Sequence, residues 1–139
     1  TVDGRTQTGK TLLVAIGNCR YFGGLDVCPH AHPDDGLLDL CITDELSAKE
    51  SLLALGRLRR GTHVRLSKVH YTKAHHIAID GPPGTRIVAD GRVLAALPVT
   101  VELQQHALKV IVPREAWNPS KVTSILRRRP GNLDNGTQG

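Results

Sequence analysis

The spacing of its turn signals constrains this chain more than any other feature. Apolar runs are short, and glycine, proline or Asp-Gly interrupts them before they reach helical length. Thr11-Leu12-Leu13-Val14-Ala15-Ile16 lies between Gly9 and Gly17, and Leu37 to Thr43 follows Asp34-Asp35-Gly36. A third run within Val69–Ile79 stops at Gly81-Pro82-Pro83-Gly84. Short apolar runs bounded in this way read as strands. Arg86 to Ala89 and Arg92 to Leu94 flank Asp90-Gly91, a dipeptide suited to a two-residue hairpin turn. Val99 to Leu103 alternates, and Ala107 to Val112 is expected to be the last strand, stopped by Pro113. Strand geometry sets His75, Ile77 and Ile79 on one face and His76 on the other, so one histidine is expected buried and its neighbour exposed.

One helix interrupts the strands. Ser47 is an N-cap and Glu50, three residues on, completes a capping box. Leu52, Leu53, Leu55 and Leu58 form an apolar stripe, Arg57, Arg59 and Arg60 suit the negative C-terminal end, and Gly61 stops the helix. A second helix is expected over 120–129, and the polar Gly/Asn-rich end, 131–139, without fixed structure. The fold class is therefore mainly β, an antiparallel β-sandwich with one inserted α-helix over 1–113, and an extension over 114–139. Val2-Asp3-Gly4-Arg5 has the composition of a hairpin turn whose first strand is missing, so the chain is expected to begin inside a larger protein.

Composition narrows the function classes. Aromatic residues are only 3%, so leucine, valine, isoleucine and alanine must build the core, and the stacking rings of a single-strand nucleic-acid platform are lacking. The formal charge of +5 suits acidic partners, whether nucleic acid, nucleotide phosphates or an anionic membrane surface, without choosing between them. No run approaches the ~18 apolar residues of a spanning helix. Cys19, Cys28 and Cys41 are odd in number and lack framework spacing, which favours free thiols and a reducing, cytoplasmic setting.

The densest cluster of ligand-type side chains is Cys28-Pro29-His30-Ala31-His32-Pro33-Asp34-Asp35-Gly36. Three readings stand beside one another. Cys28, His30 and His32 could serve zinc, although their alternation suits a strand face better than a metal loop. Pro-Asp-Asp-Gly could simply turn the chain. A carboxylate with nearby backbone carbonyls could also hold a hard cation such as Mg²⁺. Asp90-Gly91-Arg92 is a turn that could also present a carboxylate to a hydroxyl. Gly4-x-x-x-x-Gly9-Lys10-Thr11 fits a phosphate-loop pattern formally, but it leads into a strand rather than a helix and is rejected. Arg127-Arg128-Arg129 is a solvated basic face or a phosphate or lipid contact.

In this order the pieces resemble one family. Ala15-Ile16-Gly17-Asn18-Cys19-Arg20-Tyr21-Phe22-Gly23-Gly24 is similar to the "GN…YFGGG" stretch of the diacylglycerol kinase and sphingosine kinase superfamily, and Pro29 to Asp39 to its "P.A.PDDGLLD" loop. Gly61-Thr62-His63, Asp90-Gly91 and His106 to Pro113 resemble its "G.H", "DGE" and closing "P.AL.V.VP" elements. The resemblance covers Thr1 to about Pro113, is nearest to bacterial soluble diacylglycerol kinases and YegS-like lipid kinases, and is to their C-terminal domain, because the "GGDGT" phosphate loop of the nucleotide domain is not in the chain.

That resemblance implies an ATP-dependent lipid kinase whose lipid-side β-sandwich is this chain, inactive by itself. It implies Mg²⁺ in the PDDGLL loop, held by the His32 and Leu37 carbonyls and the Asp35 side chain, and Asp90 as the carboxylate at the acceptor hydroxyl. It further implies a lipid substrate such as diacylglycerol and a peripheral position at an anionic membrane, with no nucleic-acid partner; a homodimer is left open. Two departures stand out: Arg92 replaces the family's glutamate, and Leu25 replaces a third glycine. Arg92 cannot accept a proton, which keeps a non-catalytic lipid- or membrane-binding domain in view as the alternative.

Overall fold

The computed structural model describes residues 1–109 and 111. Its strands are β1 (Thr11–Gly17), β2 (Leu38–Asp44), β3 (Val69–Ala74), β4 (His76–Ile79), β5 (Arg86–Ala89), β6 (Arg92–Ala96) and β7 (Val99–Glu102). One α-helix, α1 (Ala48–Leu58), lies between β2 and β3, followed by a 3-10 turn at His63–Arg65. All three sheets, β1-β2-β3, β4-β7 and β5-β6, are antiparallel. These elements belong to one unit, Thr1–Gln105, and a second unit begins at His106.

The sequence explains why β2 is central. Leu38-Asp39-Leu40-Cys41 is buried on both of its faces. On one face Leu38 and Leu40 join Ala74 and Ile77, with Val14, Ile16, Ile79 and Val101 packed around them. Leu40 and Ile77 are each 1% exposed, so burial of each contributes about 1.5–3 kcal/mol. This is the sandwich core, between the three-stranded sheet and the β4–β7 pair. On the other face Asp39 and Cys41 lie under the loop from Asn18 to Gly36, which contributes buried Asp26 and Cys28. The mainly β, antiparallel fold with one inserted helix agrees with the sequence reading. So does the strand that follows Lys10, where a phosphate loop would require a helix.

Three expectations change. Val69–Ile79 is two strands in two sheets, because the Asp3 carboxylate accepts the backbone N–H groups of His75 (3.0 Å) and His76 (2.9 Å) and ends one ladder before the next begins. As a result both histidines are exposed, rather than one. Ala107, Leu108, Lys109 and Ile111 are not in a strand: alternation supplies one face, but a ladder also needs a partner edge, and among the described residues they have none. The expected helix over 120–129 and the polar tail lie outside the described residues.

The capping box of α1 forms as read: Glu50 N–H donates to Ser47 Oγ (3.4 Å) and Ser47 N–H to Glu50 Oε2 (2.7 Å). Gly61, at φ +66°, ends the helical segment under the loop, where a Cβ would strike the Asp26 carboxylate and approach Pro29 Cβ to 2.9 Å. The leucine stripe does not enter the core, since no residue of α1 is buried. No helix among the described residues is long and apolar enough to cross a membrane.

Candidate functional site

The loop between β1 and β2 is built in two stages. Phe22 and Leu25 close a tight turn over Gly23 (φ +56°) and Gly24 (φ +79°), each donating its N–H to the other's carbonyl. Leu25 follows the turn and has no positive φ, so a third glycine is not required there. Arg20 then grips Asp26 with two bonds, 2.8 and 2.6 Å, and Asp26 N–H donates to Leu58 O at the end of α1 (3.2 Å). Asp26 is only 3% exposed, so this fork compensates a buried charge.

The second stage is the Asp35 turn. Asp35 N–H donates to His32 O (3.3 Å), and Leu37 N–H donates to Asp35 Oδ1 (3.0 Å) across Gly36 at φ +73°. Lys73 Nζ donates to Asp35 Oδ2 (2.6 Å) and to Asp39 Oδ2 (3.1 Å), and Tyr71 OH donates to Asp39 Oδ1 (2.6 Å). His30 stands edge-on to the Tyr71 ring. Asp39 opposes Lys73 in the β2–β3 register, and Tyr71 is two residues before Lys73, which puts all three side chains on one face. Burial raises the Asp35 carboxyl, but the Lys73 bond and the Leu37 amide outweigh it and hold its pKa below the ordinary value. Burial, reinforced by donation to Asp39, keeps the Tyr71 phenol protonated well above its usual range.

His32, Asp35 and Leu37 therefore share one turn, tied through the Asp35 backbone and carboxylate. Asp39, Tyr71 and Lys73, which order that turn, were missed; the signal was an aspartate set in the apolar run Leu37-Leu38-Asp39-Leu40. On this turn both Asp35 oxygens already have donors, the Leu37 amide on Oδ1 and the Lys73 ammonium on Oδ2, so a cation there would compete with Lys73 for the carboxylate. The zinc-type trio is not gathered. Cys28 is buried with its thiol on Asp39 O (3.8 Å), and His30 and His32 are exposed. Among the described residues no group of three or more His, Cys, Asp or Glu could hold a metal. All three cysteines are free; burial pushes the Cys28 thiol up to about 12 and Cys41 to about 11, so neither is a ready thiolate.

Asp90 is placed differently. It and Gly91 have φ +50° and +79° at the tip of the β5–β6 hairpin, with Ala89 and Arg92 paired behind them. These are the two positive φ values of a type I′ turn. Asp90 and Arg92 are both exposed, and they make no ion pair with one another among the described residues. Nor does any hydrogen bond or ion pair among those residues join Asp90 to the Asp35 turn.

Residues 1–112 match the family described as the YegS C-terminal NAD kinase beta sandwich-like domain. The chain belongs to that family. This YegS-type domain is also 35% identical over 115 residues to a diacylglycerol kinase of Mycobacterium tuberculosis, covering 81% of this chain and 37% of the relative. Diacylglycerol kinases of Staphylococcus saprophyticus (29% identical, 84% and 38% covered) and Staphylococcus haemolyticus (28% identical, 94% and 42% covered) are similar as well. The chain thus spans between a third and a half of the length of these relatives.

Proposed function

We propose that this domain is the lipid side of a diacylglycerol-kinase-like enzyme, moving the γ-phosphoryl group of ATP to the primary hydroxyl of a lipid when joined to a nucleotide domain. The observation that carries the reading is the exposed Asp90 carboxylate at a type I′ turn, in a chain of this family. Phosphoryl transfer depends mainly on positioning and charge neutralisation. Asp90 accepts the hydroxyl proton as the lipid oxygen bonds to phosphorus and ADP leaves. ATP is bound by the nucleotide domain, and the domain works peripherally at a membrane in the cytoplasm. The Asp35 side chain with the His32 and Leu37 carbonyls would hold Mg²⁺, which would brace the loop by sharing the Asp35 carboxylate with Lys73.

A second reading, a lipid-binding domain without catalysis, is favoured by one observation: Arg92 occupies the position where the family has glutamate. Its guanidinium has no acceptor site for a proton. Formation of phosphatidic acid from labelled ATP and diacylglycerol separates the two. The chain joined to a nucleotide domain should form it and the 139-residue chain by itself should not. Arg92→Glu should raise the rate of a slow kinase; a fast kinase slowed by Arg92→Glu would make the arginine a working part and refute this assignment.

A further inference from the structure

The unused feature of the fold is the outward face of α1. Positions 48, 52, 55 and 59 recur at helical spacing and make one stripe; positions 49, 53, 56 and 60 make the next. All eight residues are exposed, whereas Glu50, Ser51, Ala54, Arg57 and Leu58 are half-buried. The helix is therefore seated on Glu50, Ser51, Ala54, Arg57 and Leu58 and turns its other three leucines out: Leu52 is 74% exposed, Leu53 49% and Leu55 53%. Glu50, the helix's only acid, is on the inner side and pairs with Lys68 (2.9 Å). The outer face thus carries three leucines between cations at both ends, Lys49 at the start and Arg59 and Arg60 at the finish, and no acid. The capping box fixes one end, and the Asp26–Leu58 backbone bond fixes the other.

We propose that this face of α1 docks the domain on an anionic lipid bilayer. Leucines flanked by cations, on a helix lying flat, match an interface in which apolar side chains enter the acyl boundary and cations meet headgroup phosphates. A second copy is a poor occupant, because a two-fold contact through this face would set cations against cations. The inference rests on the reading that the domain works on a bilayer lipid, and it names the surface that brings it there.

Co-sedimentation of the 139-residue chain with vesicles tests it, using phosphatidylcholine alone and an equimolar mixture with phosphatidylglycerol, without ATP. Binding should need the anionic lipid and weaken with salt. Leu52→Gln with Leu55→Gln should lower partitioning at least about tenfold, because two apolar anchors are lost. Arg59→Glu with Arg60→Glu should lower it by roughly tenfold or more. Both double variants change only exposed positions, so Tm should hold and a loss of binding cannot be a loss of fold. Equal vesicle binding by native chain and either variant overturns the proposal. So does absence of binding by the native chain, or a dimer in sedimentation velocity that the leucine variant dissociates. Phosphoryl transfer by the domain joined to a nucleotide domain, to a short-chain diacylglycerol below its micelle concentration, reads the kinase separately. If transfer fails while vesicle binding depends on α1, the kinase reading falls and the docking face stands; the reverse result removes the docking face alone.

Discussion

Asp39 in β2 and Asp90 between β5 and β6 are carboxylates of one fold under opposite conditions. Asp39 is 0% exposed, with Tyr71 on one oxygen and Lys73 on the other. Asp90 is exposed on a hairpin whose strand β6 is exposed along its whole length, with Val93 at 60% and Leu94 at 68%. The buried carboxylate is explained by folding: without it the Tyr71 phenol would lose its acceptor and the Lys73 ammonium one of its two carboxylates. Folding accounts for Asp90 only through turn preference, which Asn would meet equally well. The contrast separates a residue that orders its surroundings from one free to meet a substrate.

The largest test of that contrast is stability. Asp39→Ala should cost about 2–3 kcal/mol in urea unfolding, less than the ~3–5 of a fully buried broken pair, because Lys73 keeps Asp35 and some hydration. Asp90→Asn should change it by less than about 0.5 kcal/mol. Equal losses would erase the distinction.

A smaller effect should come from the Asp35 turn. If Mg²⁺ binds there, free Mg²⁺ at tenfold its Kd should add about 1.4 kcal/mol, and Asp35→Ala should abolish that response while Asp90→Asn keeps it. A Mg²⁺-dependent Tm that survives in Asp35→Ala would place the ion elsewhere.

The turn chemistry of Asp90-Gly91 and the Ser47–Glu50 box were legible because each needs only its own neighbours in sequence. The break at His75 was not, because the group that causes it, Asp3, is 72 residues away. The Asp39–Lys73 pair depends on the β2–β3 register, which no single run reveals. The stripe of α1 was legible as a period, but a period does not say which side finds a partner.

The smallest expected effect is on the acid limb of stability. Burial depresses His63 below its ordinary 6.5, against the opposing pull of the Val27 carbonyl and Asp26. Its neutral form stabilises the fold fully above 6.5, and that contribution is lost as pH falls through its lower folded value. Lys68, with the Ser47 N–H, holds Glu50 at about 2 instead of 4.5. Its contribution is full above 4.5 and is lost as pH drops toward 2. His63→Gln should therefore flatten Tm just below pH 6.5 and Glu50→Gln should flatten it below pH 4.5; unchanged slopes would contradict these assignments.

The most direct measurement of the central claim is kcat for phosphatidic acid formation by the domain joined to a nucleotide domain and carrying Asp90→Asn, read beside its Tm. Asparagine keeps the turn and removes the proton acceptor. The account predicts a loss of roughly 10²–10⁴-fold in kcat with little change in lipid KM and none in Tm. An Asp90→Asn enzyme that turns over at the native rate would contradict it.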